Sequence, residues 1–95
     1  MNTGHILLIE DDPDLRLTLT ETLQRAGYQV STTGSIRDAR ALIAGLLLNQ
    51  MNRPPMSIEL VLLDLTLPDG AGNLLLPMIQ RELQAPVVVI SARHE

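Results

Sequence analysis

The stretch Leu60-Val61-Leu62-Leu63-Asp64-Leu65-Thr66-Leu67-Pro68-Asp69-Gly70 decides the fold of this 95-residue chain. Its first four residues form a continuous apolar run, which is typical of a parallel strand buried on both faces. The run stops at a carboxylate, Asp64, and turn-forming residues follow at Pro68-Asp69-Gly70. The stretch therefore predicts a buried strand that carries an aspartate at its carboxyl end.

Three other segments have strand character, at residues 6–9, 28–32 and 87–90. Residues 6–9 and 87–90 are continuous apolar runs, whereas residues 28–32 alternate polar and apolar side chains, as a half-exposed edge strand does. The segments between the strands are long enough for helices. The resulting βαβαβαβ order predicts right-handed crossovers and a doubly wound parallel sheet with helices on both faces.

The first helix is predicted to begin at Asp12-Pro13 and to end at Gly27, because aspartate caps helices, proline suits the first position and glycine often follows the last turn. A strand-like alternation of leucine and threonine across residues 15–22 competes with this interpretation. The cap, the length and the terminal glycine favour a helix. Its predicted apolar stripe consists of Leu15, Leu19, Leu23 and Ala26.

The second helix is predicted to begin at Ser35, and residues 49–57, with Pro54-Pro55, are predicted to form a loop. A third helix should follow Gly70. Pro77 lies inside it, lacks a backbone N–H and crowds the preceding turn. We therefore expect the third helix to start late or to kink.

Polar residues follow the three strands predicted to be central. They are Glu10-Asp11-Asp12, Asp64 and Ser91. In doubly wound sheets, ligands bind outside the carboxyl ends of the strands, and neighbouring strands lie about 5 Å apart, so these groups should meet in one pocket. Taken singly, an acid after a strand is more often a cap or a solvated turn, and Asp12 is interpreted mainly as a cap.

The convergence of acids favours a site that binds a cation. Clustered carboxylates repel, which raises their pKa values unless a cation neutralises them, and oxygen ligands suit Mg²⁺. Asp64 is the candidate nucleophile, because a carboxylate can form an acyl phosphate. The Ser91 hydroxyl and the Ala92 amide could donate to the phosphoryl oxygens.

Composition argues against several classes of protein. The net charge is −4, with 7 basic and 11 acidic residues, so this chain by itself is not expected to bind nucleic acid. Cysteine is absent, which excludes disulfides and thiolate metal sites. The first apolar run is too short for a signal peptide or a membrane span, and a cytoplasmic protein without membrane contact is expected.

The segments 6–12, 61–70 and 86–93 resemble, in order, the three successive signatures of CheY-like response-regulator receiver domains. The resemblance implies a flavodoxin-like strand order of 2-1-3-4. It also implies Asp64 as the phosphoacceptor, Asp11 as a direct Mg²⁺ ligand, Glu10 as the acid that holds metal-bound water, the Thr66 backbone carbonyl as a further ligand and Ser91 as the switch hydroxyl. The phosphodonor would be a sensor histidine kinase. The sequence around Asp64 and Ser91 is most similar to that of regulators with a winged-helix DNA-binding output domain.

The sequence also departs from that family. The family's next helix, its fifth strand ending in a lysine that contacts the phosphoryl group, and its last helix have no counterpart, and the chain contains no lysine. We therefore expect residues 1–95 to form an incomplete receiver domain. The alternative function is a non-phosphorylated interaction or oligomerisation module. Self-association through the fourth strand is expected, because nothing in the sequence pairs with its outer edge.

Two other interpretations are less favoured, namely an aspartyl phosphatase and a role of the histidines as phosphodonors or ligands. An aspartyl phosphatase would carry a second aspartate two residues after Asp64, where this chain has Thr66. Phosphoryl transfer onto Asp64 would make the chain an acceptor rather than a turnover enzyme. His5 and His94 are interpreted as exposed side chains near the ends of the chain.

Overall fold

A parallel sheet organises the chain in the computed structural model, which describes residues 4–50 and 58–90. In chain order the elements are β1 (His5–Ile9), α1 (Pro13–Arg25), β2 (Gln29–Thr33), α2 (Ile36–Gln50), β3 (Ile58–Leu63), β4 (Thr66–Leu67), β5 (Gly70–Ala71), a helical segment in three parts and β6 (Val87–Val89). The sheet order is β2-β1-β3-β6, and every pair in it is parallel. This confirms the doubly wound α/β class and the predicted order 2-1-3-4.

Strand register brings the carboxyl ends of the first three strands level with one another. Ile9 is opposite Thr33 in β2 and opposite Leu63 in β3. The amide of Asp64 donates to the carbonyl of Ile9 at 2.9 Å, and the amide of Glu10 donates to the carbonyl of Thr33 at 3.0 Å. The residues that follow β1 and β3 therefore emerge side by side.

The predicted boundaries needed small corrections. Strands β1 and β3 begin one and two residues earlier than predicted, β2 is displaced by one residue, and β6 ends one residue earlier. Helix α2 continues to Gln50, so the loop predicted from residue 49 begins later. The rest of that loop, residues 51–57, lies outside the described residues.

Helix α1 forms where the caps predicted it. The Asp12 carboxylate accepts from the amides of Asp14 and Leu15, at 3.0 and 3.4 Å, and Gly27 ends the turn with a φ of 99°. The apolar stripe is only half-buried, however. Leu15 is 39% exposed, Ala26 is exposed, and no residue of α1 is buried. The prediction of a helix was right, and its apolar stripe is only partly covered by the rest of the described chain.

The main core lies between the sheet and α2, and it is entirely aliphatic. Within residues 36–48, helix α2 contributes three buried side chains at helical spacing, Ile36, Ala39 and Ile43. They pack with Leu7 and Ile9 of β1, with Val61 and Leu63 of β3, and with Leu75 and Ile79 of the third helical segment. This spacing is that of a helix with one apolar face turned towards the core.

The third helical segment is broken, as Pro77 predicted. A 3₁₀ turn (Gly72–Leu75) leads into one α-helical turn (Leu76–Met78), and a π-helical turn (Ile79–Leu83) follows. Pro77 lies at the start of the α-helical part. A backbone N–H at this position would have no acceptor within the helix, so the lack of one in proline costs no helical hydrogen bond. Gln84 ends the segment in the left-handed region, with a φ of 54°.

His5 lies inside β1 and is 6% exposed, so the interpretation of it as an exposed side chain was wrong. Its Nε2 makes a 2.7 Å hydrogen bond with the Ser31 hydroxyl across the β1–β2 pair. The error arose because the apolar run begins at Ile6, and strand pairing extends the sheet one residue further. His94 lies outside the described residues.

Strand β6 forms one edge of the described sheet. It pairs with β3 on one side, and Val88 and Val89 are 47% and 48% exposed.

Among residues 4–50 and 58–90, neither long helix is apolar and extended enough to span a bilayer.

Candidate functional site

Three carboxylates meet at the carboxyl end of the sheet. Glu10, Asp11 and Asp64 each offer a ligand atom, and these atoms lie within 4.8 Å of one another. Glu10 is 3% exposed and Asp64 is 5% exposed, while Asp11 is half-buried. The level strand ends described above produce this convergence, which the sequence had predicted.

The Glu10 carboxyl shows the electrostatic cost of this arrangement. The pKa of Glu10 is raised to about 7, mainly by burial, and a hydrogen bond with the Asp64 side chain and the charges of Asp64 and Asp11 act in the same direction. The amide of Asp12, which donates to Glu10 Oε2 at 3.0 Å, acts in the opposite direction. A pKa this high means that the cluster holds a proton near neutral pH unless a cation replaces it.

The donor set of the cluster fits a hard divalent ion. All three groups are carboxylates, and Mg²⁺ favours oxygen ligands and commonly uses one or two carboxylates together with water. The nearby cation Arg16 donates through Nη1 to the backbone carbonyl of Glu10 at 2.8 Å. That bond is to the main chain, so it orders the loop without pairing with the carboxylate.

The Asp64 carboxylate is oriented from its own loop. The amide of Thr66 donates to Asp64 Oδ1 at 2.9 Å. Behind it, the amide of Gly72 donates to the carbonyl of Leu65 at 2.8 Å, and a Cβ at Gly72 would collide with the Asp64 carbonyl. The close approach of these two backbone segments therefore requires a glycine at position 72.

The remaining predicted site residues have different outcomes. Thr66 lies in β4, beside Asp64, and its predicted role as a carbonyl ligand stays a prediction. Ser91 and Ala92 lie outside the described residues. Asp12 is a helix cap, as predicted.

Two residues that sequence reasoning missed also hold the site. Arg16 belongs to α1 and contacts the loop after β1. Asp69 lies in the turn of the β4–β5 hairpin, yet its carboxylate accepts from the amide of Ile36 at 2.8 Å, across 33 residues. Neither residue has a spacing signal in the sequence, because each contact joins separate elements.

The fold and the acidic cluster define a class of protein, and comparison with known proteins agrees. The chain belongs to the response regulator receiver domain family, whose model matches residues 6–95. It is similar to the response regulator protein PilR of Pseudomonas aeruginosa, with 36% identity over 93 residues, covering 97% of this chain and 19% of PilR. It is also similar to the transcriptional regulatory protein KdpE of Mycobacterium tuberculosis, with 38% identity over 90 residues, covering 95% of this chain and 35% of KdpE.

Solved structures give the same result. The MaeR response regulator bound to beryllium trifluoride has a TM-score of 0.73 and 33% identity, with 97% of this chain and 70% of that chain covered. The histidine kinase ThkA in complex with the response regulator TrrA gives a TM-score of 0.69 and 25% identity, covering 97% of this chain and 72% of the other. The chain spans about a fifth of PilR and about a third of KdpE.

Proposed function

We propose that this chain is a phosphoacceptor module of two-component signal transduction, in which Asp64 takes a phosphoryl group from a sensor histidine kinase. The observation that carries the proposal is the cluster of Glu10, Asp11 and Asp64, whose ligand atoms lie within 4.8 Å of one another. In the reaction, the phosphorus–nitrogen bond of a phosphohistidine breaks while a phosphorus–oxygen bond to the Asp64 carboxylate forms.

We propose Mg²⁺ as the ion, with the carboxylates of Glu10, Asp11 and Asp64 and the Thr66 carbonyl around it. When bound, the ion supplies positive charge that offsets the charge of the phosphoryl oxygens. The Thr66 amide holds one oxygen of Asp64 in a fixed orientation. By resemblance to the family, we assign the Ser91 hydroxyl and the Ala92 amide to the phosphoryl oxygens.

The kinase partner and the cellular context belong to the same proposal. The ThkA–TrrA complex, a histidine kinase with a response regulator, supports a kinase as the phosphodonor. Similarity to KdpE, a transcriptional regulatory protein, supports a DNA-binding output domain in the parent protein. We propose a cytoplasmic location, where such kinases would present the phosphohistidine.

Binding of Mg²⁺ with beryllium fluoride, followed by amide chemical shifts, tests the proposal. The wild-type chain should show saturable shifts at Glu10, Asp11 and Thr66, and Asp64→Ala should abolish them. Asp14→Asn is the matched control, since it removes an exposed charge from the first turn of α1 without removing a ligand. Unchanged binding by Asp64→Ala would contradict the assignment.

Phosphorylation of the 95-residue chain should be weak, since the chain has no lysine to contact the phosphoryl oxygens. Lost charge-assisted donors of this kind commonly cost about 10²-fold in rate. Labelling with acetyl phosphate should therefore be slow, and Asp64→Asn should block it. Fast labelling of the wild-type chain would show that a lysine is not needed.

A second candidate function is a non-phosphorylated interaction module that self-associates. The exposed edge of β6, with Val88 and Val89 about half-exposed, favours it. Light scattering should then report dimers or larger species, and Val88→Lys should shift the distribution towards monomer. A monodisperse wild-type monomer at high micromolar concentration would contradict this candidate.

A further inference from the structure

The amino end of α2 is capped by one local and one distant side chain. The Ser35 hydroxyl accepts from the amide of Asp38 at 3.0 Å. The two Asp69 oxygens accept from the amides of Ile36 and Arg37, at 2.8 and 2.9 Å. Such amides have no partner inside the helix, so all three depend on these side chains. The Ile36 amide, followed by the Arg37 amide, holds the pKa of the Asp69 carboxyl below its usual range.

Asp69 also belongs to the loop that carries the phosphoacceptor. It lies in the turn of the β4–β5 hairpin, and Thr66 in β4 donates its amide to the Asp64 carboxylate at 2.9 Å. The tip of this hairpin rests on α2, since a Cβ at Gly70 would lie 2.9 Å from the Ile36 Cδ1 atom. The Asp69 carboxylate therefore connects the Asp64 loop to the start of α2 through its hydrogen bonds with the helix amides.

The start of α2 is itself tied to the other acidic loop. Helix α2 follows β2, and the last residue of β2, Thr33, accepts from the amide of Glu10 at 3.0 Å. The next residue, Gly34, leaves room for the Arg16 guanidinium, which lies 2.8 Å from the position of its missing Cβ. The loop after β1 and the loop after β3 are thus joined directly, by the hydrogen bond from the Asp64 amide to the Ile9 carbonyl, and a second time through the start of α2.

We propose that Asp69 is a positioning residue for the divalent ion. By its contact with α2, Asp69 holds the Thr66 carbonyl and the Asp64 carboxylate at a fixed distance from Glu10 and Asp11. The inference rests on the proposed function of the Asp64 site. Asp69 acts through the hairpin, and it is not itself one of the clustered carboxylates. Its removal should weaken ion binding by more than the loss of a helix cap or of one negative charge explains.

Calorimetric titration of the full chain with Mg²⁺, alongside thermal unfolding, tests this proposal. Asp69→Ala should weaken Mg²⁺ binding roughly three- to tenfold, less than the 10–100-fold typical of groups bonded directly to a ligand. Ser35→Ala removes the local cap of the same helix, and Asp38→Asn removes a charge from the same turn. Both controls should keep the affinity within about twofold of wild type, even where Ser35→Ala lowers the Tm.

Hydrogen exchange without metal provides a second readout. The Thr66 amide should exchange faster in Asp69→Ala than in wild type, and Ser35→Ala should leave it unchanged. Wild-type affinity in Asp69→Ala, or an equal loss in Ser35→Ala, would overturn the positioning role while leaving the proposed function intact. Absence of Mg²⁺ binding by the wild-type chain would overturn the proposed function, and the positioning role with it.

Discussion

The Arg16 guanidinium donates a 2.8 Å hydrogen bond to the backbone carbonyl of Glu10. Arg16 lies in the first turns of α1, and its Nη1 also lies 2.8 Å from where a Cβ at Gly34 would be. One half-buried side chain therefore connects α1, the loop after β1 and the loop after β2. The loop after β1 is the one that carries Glu10 and Asp11.

Arg16→Ala should lower the free energy of unfolding by about 1–2 kcal/mol, since hydrogen bonds from charged donors contribute on that order and this one is half-buried. Urea unfolding measures the change. Arg40→Ala, an exposed arginine on α2, is the matched control and should stay within about 0.5 kcal/mol of wild type. Equal stability of the two variants would mean that the Arg16 bond contributes nothing.

Gly72→Ala should destabilise the chain by about 2–3 kcal/mol, because the new methyl group meets backbone atoms of Asp64 and Leu65 that cannot move aside. Gly45→Ala is its counterpart. A Cβ at Gly45 meets nothing within 4 Å, so alanine should raise stability by about 1 kcal/mol through helix propensity. Thermal unfolding of both variants checks the opposite signs.

The raised pKa of Glu10 predicts a pH dependence of stability. Between pH 4.5, the ordinary value for this group, and about 7, the folded chain binds more protons at Glu10 than the unfolded chain does. The contribution of Glu10 to stability is therefore present below pH 4.5 and lost as pH rises through about 7. Unfolding in urea across pH 4–8 should show this loss, and Glu10→Gln should remove it. An unchanged pH profile in Glu10→Gln would contradict the prediction.

His5 should act with the opposite sign. Burial lowers its pKa below the ordinary 6.5, so the folded chain binds fewer protons at His5 than the unfolded chain does. Its contribution to stability is present above pH 6.5 and lost as pH falls below that value. In the same pH series, His5→Gln should not lose stability as pH falls below 6.5. If the variant lost as much stability there as the wild type does, His5 would be ruled out as the cause of that loss.

Gln84→Gly should stabilise the chain by about 0.5–1 kcal/mol. Gln84 has a φ of 54°, a conformation that costs an ordinary residue more than the extra chain entropy of glycine. The matched control, Gln24→Gly, lies on an exposed helical position of α1 and should instead cost about 1 kcal/mol. If both substitutions destabilised the chain equally, the left-handed conformation at residue 84 would carry no strain.

Local rules sufficed to predict much of this protein from its sequence. The apolar run before Asp64, the Asp12-Pro13 cap and the Ser35 cap each depend on neighbouring residues, so the strands and the starts of α1 and α2 could be predicted. The meeting of Glu10 and Asp64 could be predicted as well, because the carboxyl ends of adjacent parallel strands share one edge of the sheet.

Only the tertiary structure decided the contacts between distant elements and the burial of particular side chains. The Asp69–Ile36 hydrogen bond spans 33 residues and follows no sequence period. His5 is buried, and Leu15 is 39% exposed, according to which elements cover them rather than to their own residue type. Periodicity indicates which face of an element is apolar, but coverage of that face depends on how the elements pack.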